Sequence, residues 1–151
     1  MPTERLPPVD EHSLVVKASR EKTWAALGRA VEGSFSSAGA TRMARILGCA
    51  DIAPSGARPL EGGAVLTGFH VVSAVAPAEL ALAGSHRFSD YALIFRLDRL
   101  APDRTRLRAE TRAEFPGVRG AAYRALVIGT RMHVLVTRRL LTAVKGNAER
   151  D

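Results

Sequence analysis

The sequence RTRLRAETRAEFPG, at residues 104–117, decides the fold class. Up to residue 115 its charged side chains alternate with small or apolar ones, and a period of two is typical of a β-strand with one face in water. Pro116 and Gly117 interrupt this pattern, and a helical pattern follows as far as Gly146. We therefore predict a charged strand followed by one long C-terminal helix, around which a sheet curls with room for an apolar ligand.

The predicted C-terminal helix has a basic face and an apolar face. Four basic residues recur every seven positions and so lie on one side of the helix: Arg124, Arg131, Arg138 and Lys145. The opposite side, flanked by Val136 and Thr137, carries apolar residues, a glycine and a histidine: Ala122, Leu126, Gly129, His133, Leu140 and Val144.

His133 lies near the middle of that apolar face and has three interpretations. It lines a ligand pocket, it acts as a general acid or base, or it is a core histidine bonded to a backbone carbonyl or to Tyr91. Gly129, one turn away, removes side-chain volume, which suits either a ligand or close packing of the helix on the sheet.

The chain before residue 104 contains one helical block and a run of strands. Ser19 predicts the N-cap of a first helix that ends near Glu32, with Trp24 as a core anchor. Residues 33–39 fit a turn or the start of a second helix, and residues 41–49 fit a helix or a strand. Strands are predicted at residues 12–18, 64–75, 79–88 and 91–100, with a loop at 54–63.

This order predicts an α+β fold, because the strands and helices do not alternate. We expect a curved antiparallel sheet wrapped around the C-terminal helix, with one or two short helices after the first strand. Residues 1–11 are expected to form a flexible tail, and residues 12–148 a single domain.

The inward faces of the strands and the apolar face of the last helix are expected to enclose a cavity. Apolar side chains with a few polar groups among them are typical of small-molecule sites, although a buried Tyr or His with internal partners gives the same pattern. Thr105 is expected to point inward as well, whereas His70 is expected to be exposed. The predicted cavity lining is His86, Tyr91, Leu93, Phe95, Thr111, Leu126, Gly129, His133 and Thr137.

Composition narrows the class of protein. The net charge of +7 arises after residue 103, where 11 basic residues face 4 acidic ones, whereas 11 of each precede that point. This excess indicates a nucleic-acid or anionic-membrane surface, or simply a solvated strand face and helix stripe. No uncharged apolar run is long enough to span a membrane, and the first residues do not resemble a signal peptide. The lone Cys49 fits a reducing cytoplasm.

Several kinds of catalytic or metal site lack support. No acidic residue falls on a predicted inward strand face, so a pair of catalytic carboxylates or a Ser–His–Asp triad is not expected. Four histidines and one cysteine show no metal-ligand spacing, so no metal and no cofactor is predicted.

Three strings resemble the SRPBCC or START-like superfamily, which is also called helix-grip or Bet v 1-like: VVKASREKTWAAL at 15–27, GSHRFSDYAL at 84–93, and FPG at 115–117 leading into YRALVIGT at 123–130. The second and third resemble a bacterial subgroup of unknown function. The resemblance covers roughly residues 12–148 and implies the helix-grip fold. Members include lipid carriers, polyketide aromatase/cyclases, hormone receptors and chaperone activators, so it does not imply one activity.

The leading hypothesis is binding of a small apolar or amphipathic ligand, lipid or polyketide-like, in the cavity. The second is a polyketide cyclase or dehydratase-like enzyme in which His133 or Tyr91 moves a proton. The third is a basic surface for nucleic acid or anionic membrane, built from Arg104, Arg106 and Arg108 with Arg112 and the helix stripe; nucleic acid is the less favoured partner.

Overall fold

The computed structural model describes residues 6–35, 38–56, 60–129 and 132–150, with backbone but not side chains for 127–129, 132 and 133. Its elements in chain order are β1 (Pro8–Val16), α1 (Arg20–Ser34), α2 (Ala38–Leu47), β2 (Val65–Leu66), β3 (Phe69–Val75), β4 (Glu79–His86), β5 (Ser89–Ala101), β6 (Arg104–Glu114), α3 (Gly117–Gly129) and α4 (Met132–Arg150).

The strands form one curved six-stranded sheet in the order β1-β6-β5-β4-β3-β2, with every neighbouring pair antiparallel. Strands β2 to β6 form a meander in which each strand pairs with the next. The first strand, β1, precedes the helices α1 and α2 in the chain and pairs with the last strand, β6. The predicted α+β class and antiparallel meander are confirmed, and β6 occupies the limits expected from its charge alternation.

Strand β1 begins earlier than predicted. Residues 8–11, which were expected to belong to the flexible tail, pair with β6, with Glu11 opposite Glu110 and Pro8 opposite Arg112. The register shifts between Pro8 and Asp10, which disrupts the period-two alternation that would have marked this part of the strand. The backbone before the strand is also held, because the Arg112 guanidinium donates to the Leu6 carbonyl at 3.1 Å.

The helices after β1 begin and end at clear capping signals. The Ser19 hydroxyl accepts a hydrogen bond from the Lys22 amide at 3.2 Å, which confirms the predicted N-cap of α1. The ambiguous residues 41–49 are mostly helix, in α2. This helix ends at Leu47, and the next residue, Gly48, has a φ of 71° that suits glycine. The Cys49 amide donates back to the Ala44 carbonyl at 2.9 Å, as in a Schellman motif.

The core lies between the concave face of the sheet and helices α1 and α4. Side chains with almost no solvent exposure come from β1, β3 to β6, α1 and α4, the largest being Phe95, Leu27, Leu80, Leu82, Leu107 and Leu141. Thr105 is also buried, as predicted, and donates to the Ala18 carbonyl at 3.0 Å. Trp24 packs against this core but is only partly buried.

The predicted buried face of the last helix is confirmed in α4 and wrong in α3. Leu140 and Val144 are buried, whereas Leu126 is 61% exposed. Helix α3 touches the sheet through Gly120 and Tyr123. Because Leu126 is six residues beyond Gly120, it lies about 120° around the helix from that contact. Among the described residues, no helix is both long and apolar enough to cross a lipid bilayer.

Candidate functional site

Six aromatic side chains and one histidine form a continuous row across the concave face of the sheet, from the end of α1 to α3. We call it the aromatic row. Each member is partly exposed, and two of them, Phe35 and Phe69, also pack against the core. Its members are Phe35, Phe69, Tyr91, His86, Phe88, Tyr123 and Phe115.

The first half of the row runs from the C-cap of α1 across β3 and β5 to β4. The ring centroids of Phe35 and Phe69 are 4.8 Å apart, those of Phe69 and Tyr91 5.2 Å, and those of Tyr91 and His86 5.4 Å. These spacings and tilted or edge-on geometries are those of favourable aromatic pairs. The inward alternation of adjacent strands therefore brings the rings together.

The second half of the row joins β4 to α3. The Tyr123 ring lies edge-on to His86 at 4.9 Å and stacks on Phe88 at 5.5 Å, with an interplanar angle of 20°. Phe115 follows at 6.2 Å from Tyr123, and the Arg124 guanidinium lies 6.0 Å above the Phe115 ring. Helix α3 thus contributes to the site through one tyrosine.

Close backbone packing around Tyr91 fixes its position. Its hydroxyl donates a 2.5 Å hydrogen bond to the Gly68 carbonyl and lies 3.8 Å from the Cys49 sulfur. Gly84 lies under the ring, since a Cβ there would be 2.6 Å from a Tyr91 ring carbon. Burial, with further contributions from the Cys49 thiol, raises the pKa of Tyr91 far above its usual value. Tyr91 is consequently a fixed, protonated hydrogen-bond donor.

His86 is held in one tautomer at the centre of the row. Its Nδ1 accepts a 3.1 Å hydrogen bond from the Phe88 amide, so the neutral ring carries its proton on Nε2. Burial lowers the pKa of His86, against an opposing effect of the Asp90 carboxylate. Within the described part of the chain, Nε2 has no hydrogen-bond partner. A ligand oxygen next to His86 would therefore meet an available N–H donor.

Tyr123 is a site residue that the sequence reasoning missed. Gly120 lets α3 approach closely, because a Cβ at this position would be 2.6 Å from the Phe115 carbonyl carbon and 3.1 Å from the Phe88 carbonyl oxygen. Tyr123, three residues later on the same side of the helix, then reaches the row. Burial raises the pKa of Tyr123. The available signal was a glycine and an aromatic residue spaced i, i+3 after a strand end.

The predicted lining residues divide into three groups. His86 and Tyr91 are in the aromatic row, and Thr111 is half-buried on the inward face of β6, opposite Leu93. Three others are buried in or beside the packed core: Leu93, Phe95 and Thr137. Only the backbone of Gly129 and His133 is described, and Leu126 is exposed. The prediction that these nine residues line one cavity stays a prediction.

Two concave regions lie on the described surface. One, of about 470 Å³, lies beside α1 and is bounded by Trp24, Gly28, Leu60 and Leu80 among others. The other, of about 500 Å³, is an open depression along β3, β4 and β5 whose lining includes both His70 and Tyr91. His70 is 44% exposed and pairs with Asp51 at 2.8 Å, and it lies on the opposite face of the sheet from His86.

The outer face of the sheet carries a network of ion pairs. Glu110 pairs with both Arg96 and Arg112, and Arg108 pairs with Asp98 at 2.7 Å. Further pairs of the same kind join Arg96 to Glu79 and Arg108 to Glu11. Two of the four arginines in the proposed basic surface on β6 are therefore partly neutralised, which argues against that surface as a nucleic-acid site.

No protein-family model matches the chain, and no curated protein sequence matches it. Several solved structures do match this chain. The Zhui aromatase/cyclase from Streptomyces sp. R1128 has a TM-score of 0.58 and 18% identity, with 97% of this chain and 95% of that chain covered. Norcoclaurine synthase from Thalictrum flavum has a TM-score of 0.57 and 10% identity, with 95% and 97% covered. This chain has the helix-grip fold.

A third helix-grip structure, the di-domain ARO/CYC protein BexL of the BE-7585A biosynthetic pathway, has a TM-score of 0.54 and 12% identity, with 93% of this chain and 46% of that chain covered. The helix-grip resemblance predicted from the sequence strings is confirmed. Identities this low establish the fold alone.

Proposed function

We propose that this protein binds a small, largely apolar ligand, lipid-like or polyketide-like, against the aromatic row, between the sheet and the C-terminal helices. The single observation that carries the proposal is the row itself. Every Phe and Tyr of the chain except Phe95 takes part in it, and each member is partly exposed. A contiguous exposed aromatic surface on a concave face is typical of a ligand site.

Burial of apolar area supplies the affinity. Covering apolar surface stabilises a complex by roughly 25 cal/mol per Å², and planar ligands gain further from stacked or edge-on contacts with the rings. The chain of contacts from Phe35 to Phe115 suits an extended ligand that touches several rings in sequence.

Polar groups within the row orient the ligand. The Nε2–H of His86 is a donor without a partner among the described residues, so a ligand carbonyl or hydroxyl oxygen beside it gains a hydrogen bond. The Tyr91 hydroxyl is already bonded to the Gly68 carbonyl and instead holds the sheet and the 67–68 turn in place. Aromatic polyketide-like ligands carry several oxygens on a planar frame, so they can both stack on the rings of the row and accept a hydrogen bond from His86.

The similar structures support this class of ligand. Two of them are named as aromatase/cyclase or ARO/CYC proteins, and the third as norcoclaurine synthase in complex with a transition-state analogue. A transition-state analogue is thus bound by a protein of the same fold, and the aromatic row is where this chain would hold a ligand.

Mass spectrometry of freshly purified protein tests the proposal. A discrete extra mass in the native spectrum that disappears on denaturation shows a bound molecule and largely identifies it. The His86→Ala variant should carry less of it, because both a ring contact and the Nε2–H donor are lost. The matched control is His70→Ala, the same substitution on the opposite face of the sheet.

Protein that arrives without a ligand is titrated with a naphthalenesulfonate dye and with planar polyphenols, followed by fluorescence. Saturable binding that His86→Ala weakens and His70→Ala leaves unchanged supports the proposal. Equal losses in the two variants, or no saturable binding by any of these probes, would overturn it. Circular dichroism of both variants separates loss of binding from loss of fold.

A second candidate is an enzyme acting on a poly-carbonyl substrate in the same site. The observation that favours it is the tautomer of His86, whose Nε2–H is positioned to polarise a bound carbonyl and so acidify the neighbouring C–H. Cyclisation and dehydration need few other polar groups.

Turnover of a poly-carbonyl substrate analogue distinguishes the enzyme from the binding protein. The enzyme hypothesis expects His86→Ala to retain part of the binding and lose turnover, with a pH–rate profile that changes in that variant. Turnover equal in the wild type and in His86→Ala removes the assignment to His86. Stoichiometric binding without turnover leaves the first proposal as the function.

A further inference from the structure

Helices α2 and α3 each contact the turn between β4 and β5, at one end of the molecule. The Arg87 amide donates to the Leu47 carbonyl at the end of α2, at 3.0 Å. On the other side, the first turns of α3 lie against the same turn, where Gly120 approaches the Phe88 carbonyl and Tyr123 stacks on the Phe88 ring. The exposed residues of these two helices therefore share one end of the protein.

This end combines exposed aliphatic side chains with arginines. Val118 is 88% exposed, Ile46 62% and Met43 55%, which places all three among the more exposed large apolar side chains that the structure describes. Arginines on the same helices are exposed beside them, and neither α2 nor α3 contains Asp or Glu. We define the basic–apolar tip by six exposed residues: Arg42, Met43, Arg45, Ile46, Val118 and Arg119.

We propose that the basic–apolar tip docks on an anionic lipid bilayer. Arginines at such a surface pair with lipid phosphates, while the aliphatic side chains enter the boundary between headgroups and acyl chains. Neither helix contributes an acidic residue to the tip, and Asp90 and Glu114, at the neighbouring strand ends, lie opposite each other on the outward face of β5 and β6.

Other occupants fit the tip less well. A nucleic acid would bind the arginines through its phosphates but would leave Val118 and Ile46 in water. A second copy of the chain docked tip to tip would bring like charges together. A bilayer satisfies both the charged and the apolar side chains at once. This inference does not depend on the ligand proposed for the aromatic row.

Sedimentation with vesicles tests the docking. Wild-type protein should sediment with vesicles of equal parts phosphatidylcholine and phosphatidylserine at low salt, and stay in the supernatant with phosphatidylcholine alone. The double variant Arg42→Gln/Arg45→Gln should bind about 30-fold more weakly, since each basic residue near an anionic surface is worth about fivefold. Its matched control, Arg104→Gln/Arg106→Gln, changes two exposed arginines at the other end of β6 and should bind as the wild type does.

The apolar half of the tip is tested separately. Ile46→Ser should weaken vesicle binding about tenfold, whereas Leu100→Ser, at an exposed leucine of β5, should have little effect. In Ile46→Trp, the emission of the new tryptophan should shift to the blue when anionic vesicles are added.

Three results would overturn the proposal. The first is wild-type protein that fails to sediment with the anionic vesicles at low salt. The second is an equal loss in the two arginine pairs, which would show unspecific attraction of a cationic protein. The third is vesicle binding that is equally strong in Ile46→Ser and Leu100→Ser, in a protein that also retains an oligonucleotide or an acidic protein. That result would mean that the arginines bind polyanions in general. All substituted residues are exposed, so circular dichroism should show an intact fold.

Discussion

The hydroxyl of Tyr91, on β5, donates a 2.5 Å hydrogen bond to the carbonyl oxygen of Gly68, in the turn before β3. This contact exists because Gly84, on β4 between them, has no side chain. A Cβ at Gly84 would overlap the Gly68 carbonyl oxygen and lie 2.6 Å from a Tyr91 ring carbon. The position of Tyr91 in the aromatic row therefore depends on Gly84.

We expect Gly84→Ala to destabilise the protein by about 1–3 kcal/mol, because strand backbone or the Tyr91 ring must move. Urea unfolding measures the loss. The matched control is Gly28→Ala in α1, where an added Cβ meets nothing within 4 Å and alanine favours the helix, so stability should rise by up to about 1 kcal/mol. Equal effects at the two glycines would contradict the close packing under Tyr91.

Tyr91→Phe should cost about 1 kcal/mol of unfolding free energy, because the Gly68 carbonyl loses its donor in a largely buried place. The control is Tyr123→Phe, since the Tyr123 hydroxyl makes no hydrogen bond with a described residue and its removal should be nearly neutral. A neutral Tyr91→Phe would show that water replaces the phenol without loss.

The pH dependence of stability should contain a contribution from His86. Its folded pKa lies below the ordinary value of 6.5, so between those two pH values the unfolded chain binds more protons than the folded one. The contribution of neutral His86 is complete above pH 6.5 and is lost as the pH falls through the lower folded pKa. Urea unfolding between about pH 5 and about pH 8 covers this range.

His86→Asn is the informative variant for that measurement. Its side-chain oxygen can still accept from the Phe88 amide, but it does not titrate in this range. The difference in stability between wild type and His86→Asn should shrink as the pH falls, while His70→Gln should leave the slope due to His86 in place. A constant difference at every pH would refute the lowered pKa.

Elements with strong periodicity could be predicted from the sequence, and those shaped by tertiary contacts could not. The charge alternation of β6 fixed its limits, and Ser19 marked the start of α1. The pattern at 41–49 was ambiguous, because the end of α2 depends on the backbone of Gly48 and a Schellman motif. The start of β1 was missed because its pairing is irregular between Pro8 and Asp10.

The site was predicted less completely than the fold. Strand alternation correctly placed His86 and Tyr91 on the concave face. Helical periodicity placed Leu126 inward, but the rotation of α3 depends on the close approach of Gly120 to the Phe88 carbonyl, a contact between residues far apart in sequence that a periodic pattern does not encode. For the same reason Tyr123, which that rotation turns toward His86, was not recognised.

Shortening a side chain of α4 should lower the stability of the protein only on the buried side of the helix. Leu141 is 2% exposed in the core, whereas Leu135, on the same helix, is 52% exposed. Two contacts at its C-terminal end fix the helix on β1: Lys145 donates to the Val15 carbonyl at 3.1 Å, and Glu149 accepts from the Lys17 amide at 2.7 Å.

We expect Leu141→Ala to cost about 2–5 kcal/mol of unfolding free energy, because it leaves a cavity that these contacts keep the helix from closing. Leu135→Ala should stay within about 0.5 kcal/mol of the wild type. Urea unfolding of both variants decides the matter, and similar losses at the two leucines would mean that α4 is rotated from this orientation.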